Sequence, residues 1–128
     1  MERLSLDTNT PVKIFIGVLI TLIVSAFGIN AAVASKRSDT AWQELDKGAL
    51  LIDVRTLEEF NEDHLPNAIN MPLSDLNTLA NPIHRSQPIV VYCRSGNRAA
   101  HAERLLYDMG FANVFNGGGL DEMKTSQP

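Results

Sequence analysis

Pro88-Ile89-Val90-Val91-Tyr92-Cys93-Arg94-Ser95-Gly96-Asn97-Arg98 sets the pattern around which the rest of the chain is organised. An apolar, largely β-branched run ends in the only cysteine of the chain, and four polar or glycine residues follow. From Arg98 onward, Ala99, Ala100, Ala102, Leu105, Leu106 and Met109 recur at helical spacing. A short β-branched run between a proline and a glycine loop reads as a buried strand, and a repeat at three and four residues reads as a helix. The thiol therefore stands at the carboxyl end of a strand, in a loop that opens a helix. In open α/β sheets that is where ligands and chemistry collect.

Two readings of Cys93 compete. In the first, the backbone N–H groups of a loop entering a helix converge on an anion, and the helix dipole adds partial positive charge. Arg94 and Arg98 lie within five residues of the sulfur. Both effects favour a thiolate, the nucleophilic form, and Gly96 lets the chain turn where a side chain would block the sulfur. In the second, Cys93 is one more small buried hydrophobe and both arginines are simply solvated.

Cys93-Arg94-Ser95-Gly96-Asn97-Arg98 resembles the active-site loop of the rhodanese family, the thiosulfate sulfurtransferases, close to the Cys-x-x-Gly-x-Arg-Ser form of single-domain members. Ala99 stands where Ser is frequent, which removes a hydroxyl and leaves the nucleophile. A second rhodanese signature is similar to Leu51-Ile52-Asp53-Val54-Arg55 followed by His64-Leu65-Pro66-Asn67-Ala68-Ile69-Asn70-Met71-Pro72. Asp63 and Asn67 replace glycines that are common there, and Asn tolerates positive φ. Asp53 and Arg55 read as structural, tying strand ends to a loop by charged hydrogen bonds; His64 reads as a turn residue outside the site. Met109-Gly110-Phe111, Asn113-Val114 and the triplet Gly117-Gly118-Gly119 resemble the closing segment of single-domain rhodaneses, with Met123 where tryptophan is frequent at the pocket rim. The resemblance covers residues 38–124 and is to the exported, phage-shock-type members.

The 128 residues bound the chain to one domain plus a leader. Glu2 and Asp7 offset Arg3 and Lys13, so the net charge of −4 falls entirely on residues 35–128. A mildly acidic surface argues against nucleic acid as the main partner, and attraction of an anion must be local to the loop arginines. One cysteine allows no internal disulfide, and His64, His84 and His101 are scattered, with no metal-ligand spacing.

Ile14 to Ile29 carries no charge, and Ala31-Ala32-Val33-Ala34 follows. As a signal peptide, residues 1–34 end at the small-x-small site Ala32-Val33-Ala34. As an anchor, residues 14–34 match the roughly 20 residues that span a bilayer. Both readings export the domain at 35–128, to the periplasm or an equivalent compartment, either free or held at the inner membrane. Lys36 and Arg37 flank this segment without orienting it.

Along the domain, Ser38-Asp39-Thr40 offer N-caps for a short helix, Ala41 to Leu45, whose Trp42 and Leu45 share the face that packs on a sheet, with Gly48 closing it. Ala49 to Val54 is a strand. Thr56 caps Leu57 to Phe60, with Glu59 completing a capping box. Ala68 to Asn70 is a short strand, Ser74 caps a segment from Asp75 to Ala80, and Phe111 to Phe115 is the last strand before Asp121 to Lys124. This alternation implies an α/β fold: a mostly parallel central sheet with helices on both faces, the cysteine strand interior, preceded by one hydrophobic N-terminal helix.

The resemblance implies a sulfurtransferase. Cys93 takes the outer sulfur of thiosulfate as a persulfide and passes it to cyanide or a thiol, while Arg94, Ser95, Gly96, Asn97 and Arg98 bind the donor, with Arg98 the one pointing inward and Arg94 facing solvent. It implies no metal or organic cofactor. Cysteine phosphatases and arsenate reductases that share the fold have loops one residue longer, and the spacing from Cys93 to Arg98 favours a sulfur donor. A sulfur carrier without turnover, or an interaction module, is the remaining alternative. As a surface-loop residue, Cys93 should accept Ser within about 1 kcal/mol of stability.

Overall fold

The chain divides into Met1–Val33 and Ala34–Pro128. The computed structural model describes residues 36–128, all within the second unit, so the leader reading lies outside the described residues. Among the described residues no helix is long and apolar enough to cross a membrane.

Helix α1, described over residues 36–46, leads into β1 (Leu50–Asp53), α2 (Leu57–Glu62) and β2 (Ile69–Asn70). A 3-10 turn (Leu73–Asp75) precedes α3 (Leu76–Leu79), followed by β3 (Ile89–Cys93), α4 (Asn97–Asp108), β4 (Val114–Gly119) and α5 (Leu120–Thr125). The strands form a four-stranded, all-parallel sheet in the order β2-β1-β3-β4. The cysteine strand is interior, between β1 and β4, as its unbroken apolar run predicts.

Strand alternation sorts the interior into two layers. Ile89, Val91 and Cys93 of β3 join Ile52 and Val54, and face Ala99, Ala102 and Leu106 of α4 and Leu76 of α3. Val90 and Tyr92 face the other way, with Leu51, and meet Ala41 of α1 and Leu120 and Met123 of α5. The side chains of β3 are buried on both faces. Each large apolar side chain so buried contributes about 1.5–3 kcal/mol. Trp42 and Leu45 pack on the second layer as expected, and the Trp42 indole N–H donates to the Met123 carbonyl (2.9 Å).

Five local expectations change. Ser38, Asp39 and Thr40 are inside α1, and the Thr40 hydroxyl donates back to the Lys36 carbonyl (3.0 Å), a bond helical Ser and Thr often make instead of capping. Ser74 lies within the 3-10 turn and caps nothing; its hydroxyl donates to Asp75. The last strand begins at Val114 because Phe111 closes α4: its N–H donates to the Leu106 carbonyl (3.1 Å) and its ring is buried. The glycines after Phe115 belong to the strand, pairing with Tyr92 and Cys93 beyond a bulge at Val91/Tyr92. Met123 is wholly buried in the second layer and forms no rim. Asn67 does take positive φ (65°).

Candidate active site

Cys93 is the last residue of β3 and only 1% exposed, packed in the layer beneath α4. The expectation of a surface-loop position clear of the core is therefore corrected: the thiol is a core residue whose sulfur is reached through the loop. That loop reverses at Gly96, whose φ of +94° suits glycine, and the Gly96 N–H donates to Cys93 Sγ at 3.0 Å. Helix α4, 12 residues long, starts with no side-chain cap. Its first N–H groups are thus not consumed by a neighbouring hydroxyl or carboxylate, and they add to the positive end of the dipole beside the sulfur. The Asn116 amide ties the loop to β4 by donating to the Gly96 carbonyl (3.1 Å), while its oxygen accepts from Gly118 N–H (2.8 Å).

The arginines divide. Arg98 Nη1 and Nη2 donate to the two oxygens of Glu59 at 3.0 and 2.8 Å, and this partner holds the Glu59 carboxyl below its ordinary range. Helix α2 therefore has half a capping box: Thr56 Oγ accepts from Glu59 N–H (3.3 Å), but the Glu59 side chain serves Arg98. Arg94 is exposed, with no hydrogen bond or ion pair among the described residues. Ser95 and Asn97 are exposed as well, while Gly96 is buried.

A third arginine, Arg37 of α1, reaches the same loop. Its Nε donates to Glu122 Oε1 (2.7 Å), and Nη2 donates to Glu122 Oε2 (2.7 Å) and to the Ser95 carbonyl (3.2 Å). A methyl group on Gly96 would meet this guanidinium at 2.7–2.9 Å. The Glu122 carboxylate in turn occupies the space that a side chain at Gly118 would fill, and Gly118 takes φ of +96°. The Glu122 hydrogen bond raises the Arg37 pKa, with smaller raising contributions from the Glu122 charge and from Cys93. Nothing local in the sequence marked Arg37, Glu122 or Asn116, because the contacts join residues 85, 58 and 20 positions apart.

Asp53 and Arg55 tie the end of β1 to the neighbouring loop by charged hydrogen bonds, as read, and Arg55 also lines the cleft beside the loop. Nε and Nη2 of Arg55 grip both Asp53 oxygens at 2.7–3.1 Å, and Nη2 also donates to the Asp63 carbonyl (2.6 Å). His64 stacks on Phe60 and its Nδ1 lies 2.8 Å from the Phe60 carbonyl, away from the loop. Beside the loop lies a cleft of about 150 Å³ into which Arg94 projects among Glu59, Glu62, Asp63 and Asp121. Among the described residues no group of three His, Cys, Asp or Glu could hold a metal ion. What the arrangement can do chemically is stabilise negative charge on, or in front of, a single sulfur.

The rhodanese-like domain family matches residues 38–125. The thiosulfate sulfurtransferase PspE of Escherichia coli K12 is 34% identical over 74 residues, spanning 56% of this chain and 71% of that protein. The putative sulfur carrier protein YrkF of Bacillus subtilis is 32% identical over 71 residues, and there the match spans only 38% of the relative's length. Among solved structures, a rhodanese with anions from E. coli aligns with a TM-score of 0.55 at 32% identity, covering 59% of this chain and 91% of that one.

Proposed function

The chain belongs to the rhodanese-like domain family, and on that premise we propose that it is a thiosulfate sulfurtransferase acting through a persulfide on Cys93. The observation that carries the reading is the Cys93 sulfur at the end of an interior parallel strand, receiving the Gly96 N–H inside an uncapped helix entrance. In the first half-reaction the Cys93 thiolate attacks the outer sulfur of thiosulfate. The thiosulfate S–S bond breaks, its electron pair leaves with sulfite, and the cysteine becomes Cys–S–S⁻. In the second, cyanide or a thiolate attacks the outer sulfur, takes it as thiocyanate or a persulfide, and returns the Cys93 thiolate. The N–H groups of residues 94–98 hold the anionic sulfur through both steps, and the free Arg94 guanidinium meets the sulfonate end of the donor. Arg98 keeps the helix entrance in register with α2 through Glu59. No proton changes hands and no metal is required.

Thiosulfate:cyanide transfer by the full chain, beside Cys93→Ser, tests this. Thiocyanate production that falls by at least about a thousandfold in the variant is expected, on the scale of other nucleophile replacements. No turnover from folded, reduced wild type rejects it. A sulfur carrier that loads but does not turn over is the second reading, supported by the similarity to a relative named a putative sulfur carrier protein. Intact mass showing one added sulfur after thiosulfate, without multiple turnovers, would select it. We also propose export: residues 1–34 act as a signal peptide cut after Ala34, or residues 14–34 stay as an inner-membrane anchor. Fractionation together with the N-terminal residue of the mature chain distinguishes these, and a cytoplasmic, uncut protein rejects both.

A further inference from the structure

Arg37 lies outside the loop motif, yet its guanidinium reaches the loop. Its guanidinium sits against Gly96, donates to the Ser95 carbonyl, and is gripped on its other edge by Glu122. Glu122 is held in turn by α5, where its carboxylate lies near the Gly119 N–H (3.5 Å) and over Gly118. Among the described residues Arg37 Nη1 has no acceptor, and the side chain keeps 34% of its surface exposed. A donor nitrogen without an acceptor, on a partly exposed side chain beside the loop that holds the nucleophile, has the chemistry of an anion-binding group.

The charge pattern around the loop says why a third cation matters. Arg98 is paired with Glu59, Asp63 with Lys124 and Arg55 with Asp53, so within the cleft the Arg94 guanidinium faces the carboxylates of Glu62 and Asp121. An approaching dianion therefore gains from a further cation at the loop. We propose that Arg37, fixed by Glu122, is a positioning and specificity residue of this site. It holds the Ser95–Gly96 turn and supplies positive potential at the sulfur that favours anionic reactants over neutral ones. The inference rests on the sulfurtransfer reading for the identity of the anion, thiosulfate, but its charge content does not.

The test uses the full chain with two alkylating probes of similar size, iodoacetate (anionic) and iodoacetamide (neutral), reacting at Cys93. The ratio of their rates reports the charge that a reactant meets. Arg37→Gln should lower the iodoacetate-to-iodoacetamide ratio about fivefold, as expected for loss of one unit charge near a partly solvated sulfur. Glu122→Gln, which removes the counter-charge and leaves the cation, should raise it about twofold. Arg37→Lys should keep the ratio within about twofold of wild type. In steady-state transfer, Arg37→Gln should raise KM for thiosulfate several-fold with kcat little changed.

A role confined to supporting the loop slows both probes together and leaves the ratio fixed in Arg37→Gln and Glu122→Gln, and that result overturns the proposal. Should Arg37→Gln fail to fold, Glu122→Gln decides alone: a ratio that rises supports it, and one that is unchanged or falls overturns it. A wild type with no thiosulfate turnover, but with the ratios moving as stated, rejects thiosulfate as the anion and leaves the charge role of Arg37 standing.

Discussion

Two arginine–carboxylate pairs of similar geometry sit in opposite surroundings in this domain. Asp53–Arg55 and Glu59–Arg98 are both two-point contacts with N–O distances near 3 Å. The side chains of the first are 0% and 6% exposed, and those of the second 25% and 35%. Arg55 has further fixed partners, the Asp63 carbonyl and the face of Tyr92, whose centroid is 5.8 Å away. The loop pairs, Glu59–Arg98 and Glu122–Arg37, stay partly open to solvent beside the sulfur. Burial and saturation of donors, more than residue type, separate a charge locked inside the fold from one left partly open beside the sulfur.

The sharpest way to break that contrast is Asp53→Ala. It leaves a buried guanidinium without its counter-charge and should destabilise the protein by about 3–5 kcal/mol. Urea unfolding measures it, and a loss below about 1 kcal/mol would put the pair in the same class as the surface ones. Next in size is Tyr92→Phe. The Tyr92 hydroxyl accepts from the buried Leu65 N–H (3.1 Å), so the variant leaves a buried donor unmet and should lose about 1–3 kcal/mol. Burial, with the neighbouring Asp53 carboxylate, raises the Tyr92 pKa, so ultraviolet titration of wild type should show a phenol that ionises only at unusually alkaline pH, and Tyr92→Phe should remove that step.

The smallest effect belongs to Glu59→Gln, which should lose less than about 1 kcal/mol at pH 7, because the pair is partly solvated. The sign of its pH dependence follows from the depressed Glu59 carboxyl. The folded state binds that proton less readily than the unfolded state, so the pair stabilises at pH above the usual 4.5. That stability is lost as pH falls through the lower folded value. Melts of wild type and variant should differ at pH 7 and converge in acid; a gap that widens toward low pH would contradict the assignment.

Legibility in the sequence followed the range of each interaction. β3, the turn at Gly96 and α4 were readable because an apolar run, a glycine and a three-to-four repeat are local signals, and the interior place of β3 followed from its lack of a polar face. Thr56 as the α2 cap was readable for the same reason. The destination of Glu59 was not: capping-box spacing is local, but Arg98, 39 residues away, offers a charged bidentate partner, and a charge-assisted pair outcompetes one backbone N–H. Phe111 read as strand because aromatics favour strands, yet the helix-closing turn and its buried ring set where it sits.

The sequence by itself determined the strand–loop–helix that carries Cys93, the parallel α/β order, and the family. Those depend on backbone preferences and hydrophobic period, which act over a few residues. Only the tertiary structure decided which charges surround the sulfur. Folding around the sheet brings residues of α1, α2 and α5 to the loop, and electrostatic partners are chosen by distance in space, which no periodicity records.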